Sequence, residues 1–292
     1  MIPASGYAAF DPTSPLRPIN FDRRDPGPRD VQIDILFCGV CHSDLHAAKS
    51  EWGGVVYPLV PGHEIVGRVS ATGGQVARFK EGDLVGVGCM VDSCRSCASC
   101  RDGLEQYCEV GFTGTYMGVE KETGRPTNGG YSTKIVVDEN FVLRIPEGLD
   151  LARTAPLLCA GITTYSPLSW WETGPGKRVG VVGIGGLGHM GIKIARAMGA
   201  EVTAFTTSPD KVEDARRLGA HDVVVSRDAS AMQAVARRFD FILNTVAAPH
   251  DLDPFLGALK RDGTMCLVGV PAEPHPSPNV ANLIFSRRAL AG

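Results

Sequence analysis

The run KRVGVVGIGGLGHMG, residues 177–191, constrains the fold of this chain more than any other. A short apolar segment closes on Gly183, Gly185 and Gly188, and a helical pattern opens at once. A glycine triplet alone is weak evidence, but between a strand and a helix it is diagnostic of a unit that receives a dinucleotide. The first glycine permits a tight turn, the second lets backbone approach a pyrophosphate, and the third lets helix pack on strand. The helix N-terminus then faces the phosphates. Downstream, EVTAFTT, HDVVVS, DFILNTV and GTMCLVGV alternate with helix candidates at 186–198, 209–218, 229–238 and 251–260. Strands this apolar are buried on both faces, so an α/β, doubly wound parallel sheet (a Rossmann domain) is expected over 155–292.

Residues 1–154 have a different rhythm. Short β-rich runs such as VQIDILF (31–37), EIVGRVS (64–70) and YSTKIVV (131–137) are separated by glycine and proline turns, the pattern of a small irregular β-barrel with long functional loops. The segment TAPLLCAGITTY, 154–165, reads as a helix joining the halves.

At 292 residues and 43% hydrophobic content the chain can bury a core without disulfide staples. Its nine cysteines are an odd number, and no run approaches the roughly 18 apolar residues of a membrane span. A soluble, cytoplasmic, thiol-keeping protein is expected. With 29 basic and 32 acidic side chains scattered along the chain, no footprint for nucleic acid or an anionic membrane exists, which leaves a small molecule as the partner.

Four cysteines, Cys94, Cys97, Cys100 and Cys108, follow the spacing C-x2-C-x2-C-x7-C. Four thiolates saturate a tetrahedral ion, so the set predicts a structural zinc. A disulfide loop conflicts with the intracellular reading, and the bacterial iron-sulfur pattern has a shorter last gap followed by proline. Cys38, Cys89 and Cys266 lie in apolar runs and are expected in the core. Cys41 and Cys159 differ: with His63 and Glu64 of PGHEIVG they stand on separate loops, and two thiolates with one imidazole form the three-ligand set that leaves zinc an open position. Spacing alone does not assemble that set.

GVCHSDLH, PGHEIVG, the four-cysteine lobe, CAGITTY and VGIGGLGHMG, in this order, resemble the zinc-dependent medium-chain alcohol dehydrogenases, most closely their cinnamyl-alcohol-dehydrogenase branch. The resemblance covers essentially the whole chain and implies a GroES-like catalytic domain ahead of the Rossmann domain. It implies two zinc ions: a catalytic one on Cys41, His63 and Cys159, with Glu64 beside the metal, and the structural one in the lobe. Ser43 matches the hydroxyl that bonds the substrate oxygen, His46 the end of a proton relay, and Asp44 the partner of the ligand imidazole. His42 is implied near the cofactor pyrophosphate. Thr163, Gly186, Leu187, Val268, Gly269 and Val270 join the three glycines as cofactor contacts.

In such folds an acidic residue roughly 20 positions on binds the adenosine ribose and repels a 2′-phosphate. Here TTSPDK stands instead, and Thr206, Thr207, Ser208 and Lys211 suit a phosphate, so NADP(H) is expected over NAD(H); the same residues can also cap the next helix. The expected reaction interconverts primary aromatic and aliphatic alcohols with their aldehydes. A polyol or secondary-alcohol dehydrogenase and an inactive zinc- and NADPH-binding fragment are the alternatives. Trp52 and Leu59 are candidate pocket walls, and Gly114 falls where plant members tend to carry an aromatic, which predicts a wider pocket. Relatives continue for several dozen residues past SRRALAG, so the resemblance implies a chain truncated at the C-terminus, lacking the last Rossmann strands and part of the nicotinamide pocket. A full-length relative is expected to be a homodimer.

Overall fold

Alternating β-branched residues build the first half into strands with one buried face. In the computed structural model, which describes residues 1–292, the unit Met1–Cys159 runs β1 (Ile2–Ala8), β2 (Arg17–Arg23), β3 (Asp30–Cys38), α1 (His42–Ala48), β4 (Ile65–Thr72), β5 (Leu84–Val87), β6 (Met90–Asp92), α2 (Ala98–Arg101), β7 (Thr113–Gly114), β8 (Lys134–Asp138), β9 (Leu143–Arg144) and α3 (Leu151–Thr154). A five-stranded sheet in the order β8-β3-β4-β5-β9 is accompanied by the hairpins β1-β2 and β6-β7, all antiparallel. Val31, Ile33, Ile65, Val69, Val85, Val87, Ile135 and Val137 fill its core. Burial of each such side chain contributes about 1.5–3 kcal/mol. A bulge between Ile35 and Phe37 lies at the end of β3 that leads into the Cys41 loop.

Two buried charges tie loops to this sheet. Arg23 donates to the carbonyls of Lys134 (2.9 Å), Asn128 (2.6 Å) and Gly129 (3.0 Å) and to Ser132 Oγ (2.9 Å), which holds the segment carrying Tyr131. Glu139 accepts from the backbone N–H groups of Ala77 and Arg78, both at 3.0 Å, and from Arg29 at 3.1 Å. A buried charge persists only when it is satisfied in this way.

The unit Ala160–Gly292 contains α4 (Ala160–Trp170), β10 (Arg178–Val182), α5 (Gly186–Ala197), β11 (Glu201–Thr206), α6 (Val212–Leu218), β12 (Asp222–Val225), α7 (Ala229–Ala234), β13 (Phe239–Asn244), α8 (Asp253–Ala258), β14 (Leu259–Leu267), α9 (Ala281–Ile284) and β15 (Ala289–Ala291). Its sheet is wholly parallel in the order β12-β11-β10-β13-β14-β15, the 3-2-1-4-5-6 arrangement of a dinucleotide fold. Successive residues of β10 enter opposite cores: Val179 and Val181 pack with Leu168, Ile192 and Ala195, Val182 with Met232, Phe255 and Leu256. That alternation makes the sheet doubly wound.

Several sequence expectations are corrected. The joining segment is not one helix: a 3-10 turn, Ala155–Leu158, contains Pro156, and Cys159 (φ −127°, ψ −73°) interrupts before α4. Proline has no N–H to continue an α ladder, so the break leaves Cys159 outside both helices. The helix expected over 251–260 ends at Ala258 because Leu259 already begins β14, and that over 229–238 spans only Ala229–Ala234. Beyond β14 the sheet continues with Ala289–Ala291. No helix is long and apolar enough to cross a membrane.

Candidate functional site

The loop after β3 delivers Cys41 to the N-terminus of α1, and Asp44 locks it there. Asp44, 2% exposed, accepts from Cys41 N (2.9 Å), Gly62 N (2.9 Å), His63 Nδ1 (3.1 Å) and Tyr131 Oη (2.9 Å). Burial alone would raise its pKa, yet His63 and the other donors hold the carboxyl below the usual carboxylate range. With Nδ1 committed to Asp44, the other ring nitrogen of His63 is the one left to bind a metal. Burial opposes a proton on His63, but Asp44 and the two neighbouring thiols outweigh it and push the imidazole pKa up.

Cys41, His63, Glu64 and Cys159 are all buried, and one ligand atom from each lies within 4.8 Å of the others. Cys41 Sγ and Cys159 Sγ are 3.8 Å apart. Zinc–sulfur bonds of about 2.3 Å in a tetrahedron give a sulfur–sulfur edge of about 3.8 Å, so the pair fits zinc without rearrangement. The Cys41 thiol is pushed up to about 12 by its hydrogen bond with Cys159 and by burial. Glu64 Oε2 is buried with no hydrogen-bond partner, and burial with the nearby Cys41 pushes the carboxyl up to about 7. Two glycines make the room: a Cβ on Gly39 would stand 1.9 Å from Glu64 Oε2, and Gly62 (φ +100°) would drive one into the Tyr131 ring at 2.6 Å.

Around this cluster, Ser43 Oγ lies 3.6 Å from Cys41 Sγ. His46, on the last turn of α1, hydrogen-bonds Glu51 through Nδ1 and stacks on Trp52 at 4.8 Å. His42 is exposed at the first position of α1, 5.8 Å from His46 between ring centroids. Tyr116 packs its ring 5.5 Å from that of His63. Sequence reasoning missed Tyr131, Tyr116 and Glu51; no motif links Tyr131 to Asp44 across 87 positions.

Two sequence expectations, for Leu59 and for the core cysteines, change. Leu59 is 4% exposed and its backbone pairs with Ala9, so it is core rather than an open wall. A Cβ on Gly114 would meet the Tyr116 carbonyl oxygen at 2.6 Å, so a larger residue there requires the Tyr116 backbone to shift. Cys89 is exposed and Cys38 half-buried, and only Cys266 of the three expected core cysteines is fully buried.

Cys94, Cys97, Cys100 and Cys108 form the other cluster, also within 4.8 Å, with Cys94 Sγ and Cys100 Sγ 3.8 Å apart. The same tetrahedral edge fits. Backbone N–H groups of Ser96 (3.5 Å) and Cys97 (3.3 Å) point at Cys94 Sγ and lower that thiol to about 6, preparing a thiolate. Arg95 fastens the lobe by bonding Asp92 (2.6 Å) and Asp138 (2.8 Å).

In the second unit Gly183 has φ +88°, a Cβ on Gly188 would stand 1.9 Å from the Gly183 carbonyl oxygen, and Cβ atoms on Gly185 or Gly186 would meet nothing. The first two features make the turn and the close packing. The open space over Gly185 and Gly186 at the start of α5, next to Leu187, suits a pyrophosphate. Val268, Gly269 and Val270 follow the C-terminal end of β14, and a Cβ on Gly269 would stand 2.6 Å from the Val246 backbone. Thr163 is half-buried on α4.

At the end of β11, Thr206 is buried and spends its hydroxyl on Ser208 N (3.1 Å), while Ser208 makes no capping bond. Thr207 and Lys211 are exposed, and Lys211 Nζ reaches the Ile184 carbonyl at 3.1 Å. Ile184, Gly185, His189, Lys193, Lys211 and Arg217 border a groove of about 380 Å³. A larger hollow, about 800 Å³, is bounded by Arg178, Glu201 and Lys260 at the opposite end of the strands, away from the carboxyl ends where this architecture binds ligands.

Comparison with known proteins agrees with this geometry. Residues 27–147 match the alcohol dehydrogenase GroES-like domain, and residues 186–292 the zinc-binding dehydrogenase family. Aldehyde reductase YahK of Escherichia coli K12 is 63% identical over 285 residues, covering 97% of this chain and 81% of the relative. A cinnamyl alcohol dehydrogenase from Sorghum bicolor superposes with a TM-score of 0.96 at 47% identity, covering 99% of this chain and 82% of that one. The cinnamyl alcohol dehydrogenase of Helicobacter pylori, solved with NADP(H), gives 0.93 at 42% identity over 99% and 83% of the two chains. With both halves matched and relatives this similar, the chain belongs to the zinc-binding alcohol dehydrogenase family.

Proposed function

We propose that the protein is an NADP(H)-dependent oxidoreductase that interconverts primary alcohols and aldehydes. The observation that carries this reading is the buried set of Cys41, His63 and Cys159, two thiols and an imidazole with the spacing of a tetrahedral ion. Zinc held there supplies Lewis acidity toward an alcohol or carbonyl oxygen. Glu64, in the same cluster, would stand beside the metal. Asp44 holds His63 in the tautomer that presents a nitrogen lone pair to the cluster. Ser43 is assigned to exchange a proton with the substrate oxygen, and His46 to carry that proton outward. The four cysteines of the lobe would hold a second zinc and leave it no position for a substrate.

For the cofactor, Gly183, Gly185, Gly186, Leu187 and Gly188 are assigned to the pyrophosphate, and Thr207, Ser208 and Lys211 to the 2′-phosphate. The absence of an acidic residue among Thr206, Thr207 and Ser208 supports the phosphorylated form, as does the similarity to a neighbour solved with NADP(H).

Steady-state rates with benzaldehyde, cinnamaldehyde, butanal, acetophenone and mannitol, each with NADPH or NADPH's oxidised form as the direction requires, test the reading. The aldehydes should lead, and NADPH should exceed NADH by at least about tenfold in kcat/KM, the ratio for about 1.4 kcal/mol. Comparable efficiency with NADH would overturn the cofactor assignment. A ketone or polyol that outperformed the aldehydes would overturn the substrate class.

A further inference from the structure

We propose that His250 and His275 form a clasp, anchored on Asn244, that positions the segment 268–270 against the nicotinamide half of the cofactor. The proposal rests on the NADP(H) reading and deepens it, naming residues that set the end of the cofactor where hydride is exchanged. Thr207, Ser208 and Lys211 at the end of β11 are assigned to the 2′-phosphate, and the glycine turn after β10 to the pyrophosphate. In the sheet, β13 and β14 lie on the other side of β10 from β11. A dinucleotide laid across the carboxyl ends with its adenosine over β11 therefore has its nicotinamide over β13 and β14. The loops leaving those two strands, 245–252 and 268–280, carry the clasp.

The chain of contacts starts inside the sheet. Asn244, buried at the end of β13, accepts from Val246 N through Oδ1 (3.1 Å) and donates through Nδ2 to His250 Nε2 (2.9 Å). His250 Nδ1 faces the Ala248 carbonyl at 2.8 Å; a carbonyl only accepts, so the neutral ring carries its proton there and Nε2 is the acceptor. With both ring nitrogens spent, the backbone N–H of His250 reaches across to His275 Nδ1 at 3.4 Å. The two rings meet edge to face, 4.8 Å between centroids with 87° between planes. His250 also packs on the buried ring of Phe255 at 6.0 Å, which ties the clasp to the core. Farther along the same loop, the Asp253 carboxylate accepts from Asn279 N (3.0 Å) and Asn282 Nδ2 (2.9 Å). At its start, the Gly269 backbone lies so close to that of Val246 that a Cβ would stand 2.6 Å away, and Val270 beside it is exposed. The loop after β13 thus holds the loop after β14 at three points, of which His275 is the middle one. Fixing a loop before the ligand arrives removes its ordering cost from binding.

The test compares a ligand that has the nicotinamide half with one that lacks it. On the zinc-loaded full chain, NADPH affinity is read from the fluorescence of the bound dihydronicotinamide and adenosine 2′,5′-bisphosphate affinity by calorimetry. His275→Ala should weaken NADPH by about tenfold, the scale of a lost hydrogen bond together with the freedom a released loop regains, and change the bisphosphate by less than about twofold. His250→Ala, which cuts the link to Asn244, should show the same pattern. His275→Asn, whose amide oxygen can accept where Nδ1 does, should bind NADPH within about threefold of the native protein. Equal weakening of both ligands in His275→Ala, or unchanged NADPH affinity in both alanine variants, would overturn the proposal. A native protein that holds NADH as tightly as NADPH would refute the 2′-phosphate assignment alone, and the clasp is then decided in the same way with NADH against 5′-ADP. A native protein that binds neither dinucleotide would overturn both. Zinc content and Tm of each variant separate a local effect from failure to fold.

Discussion

Cys94, Cys97, Cys100 and Cys108 stand within fifteen residues, whereas Cys41 and Cys159 are 118 positions apart. The lobe is self-contained: its sulfurs accept N–H groups from Ser96, Cys97 and Cys100 of the same loop. The buried cluster is framed by distant parts of the first unit, with Asp44 gathering donors from Gly62, His63 and Tyr131, and Glu64 Oε2 left without a partner. Saturated thiolate sets hold structure, while a site with fewer strong ligands and an unspent polar group has capacity for chemistry. The two clusters should therefore respond to damage in opposite ways.

The largest difference is expected from ligand loss. Cys159→Ser should lower zinc from about two per chain to about one and reduce aldehyde turnover by more than about 10³-fold, the rate equivalent of several kcal/mol of charge stabilisation. Elemental analysis and initial rates on one preparation check it. Cys100→Ser should likewise remove one zinc but register in stability, with Tm lower by about 5 °C or more, as about 2 kcal/mol gives in a domain of this size. Its kcat should fall less than the Cys159 variant's. Equal kinetic losses would erase the distinction between the clusters.

A finer cut is Tyr131→Phe, which leaves every ligand in place and removes one donor from Asp44. Chelator competition should show zinc affinity about 10- to 100-fold weaker at one site only, the usual scale for a partner of a ligating histidine. Unchanged affinity at both sites would mean that Tyr131 merely packs.

The smallest effect should spare both metals. Burial would raise the pKa of Glu139, but the N–H groups of Ala77 and Arg78 and the charge of Arg29 outweigh it and hold the carboxyl low. A depressed carboxyl stabilises the fold above its unfolded value of about 4.3 and loses that contribution as pH falls through the folded value. Glu139→Gln should therefore cost about 2 kcal/mol at neutral pH, the scale of hydrogen bonds to a charged group, and flatten the acid limb of a stability–pH curve. A parallel acid limb would contradict that assignment.

The same contrast explains what was legible beforehand. The lobe and the glycine turn are local patterns, and physical spacing rules read them from residues alone. The strands of the parallel sheet were visible as apolar runs, except β15, whose three residues Ala289–Ala291 carry no β-branched side chain. The buried cluster emerged only through family resemblance, because nothing in the spacing of Cys41, His63 and Cys159 joins them. Tyr131 and Glu51 were missed for different reasons. Tyr131 reaches Asp44 through a long-range contact, while Glu51 lies five residues from His46 in a turn after α1 whose geometry the sequence does not display.

Zinc per chain, measured by elemental analysis of the purified protein, tests the central claim most directly. Two clusters that each fit a tetrahedral ion predict about two. A value near one would show that only one of them holds metal and would contradict the account of a structural lobe beside a separate chemical centre.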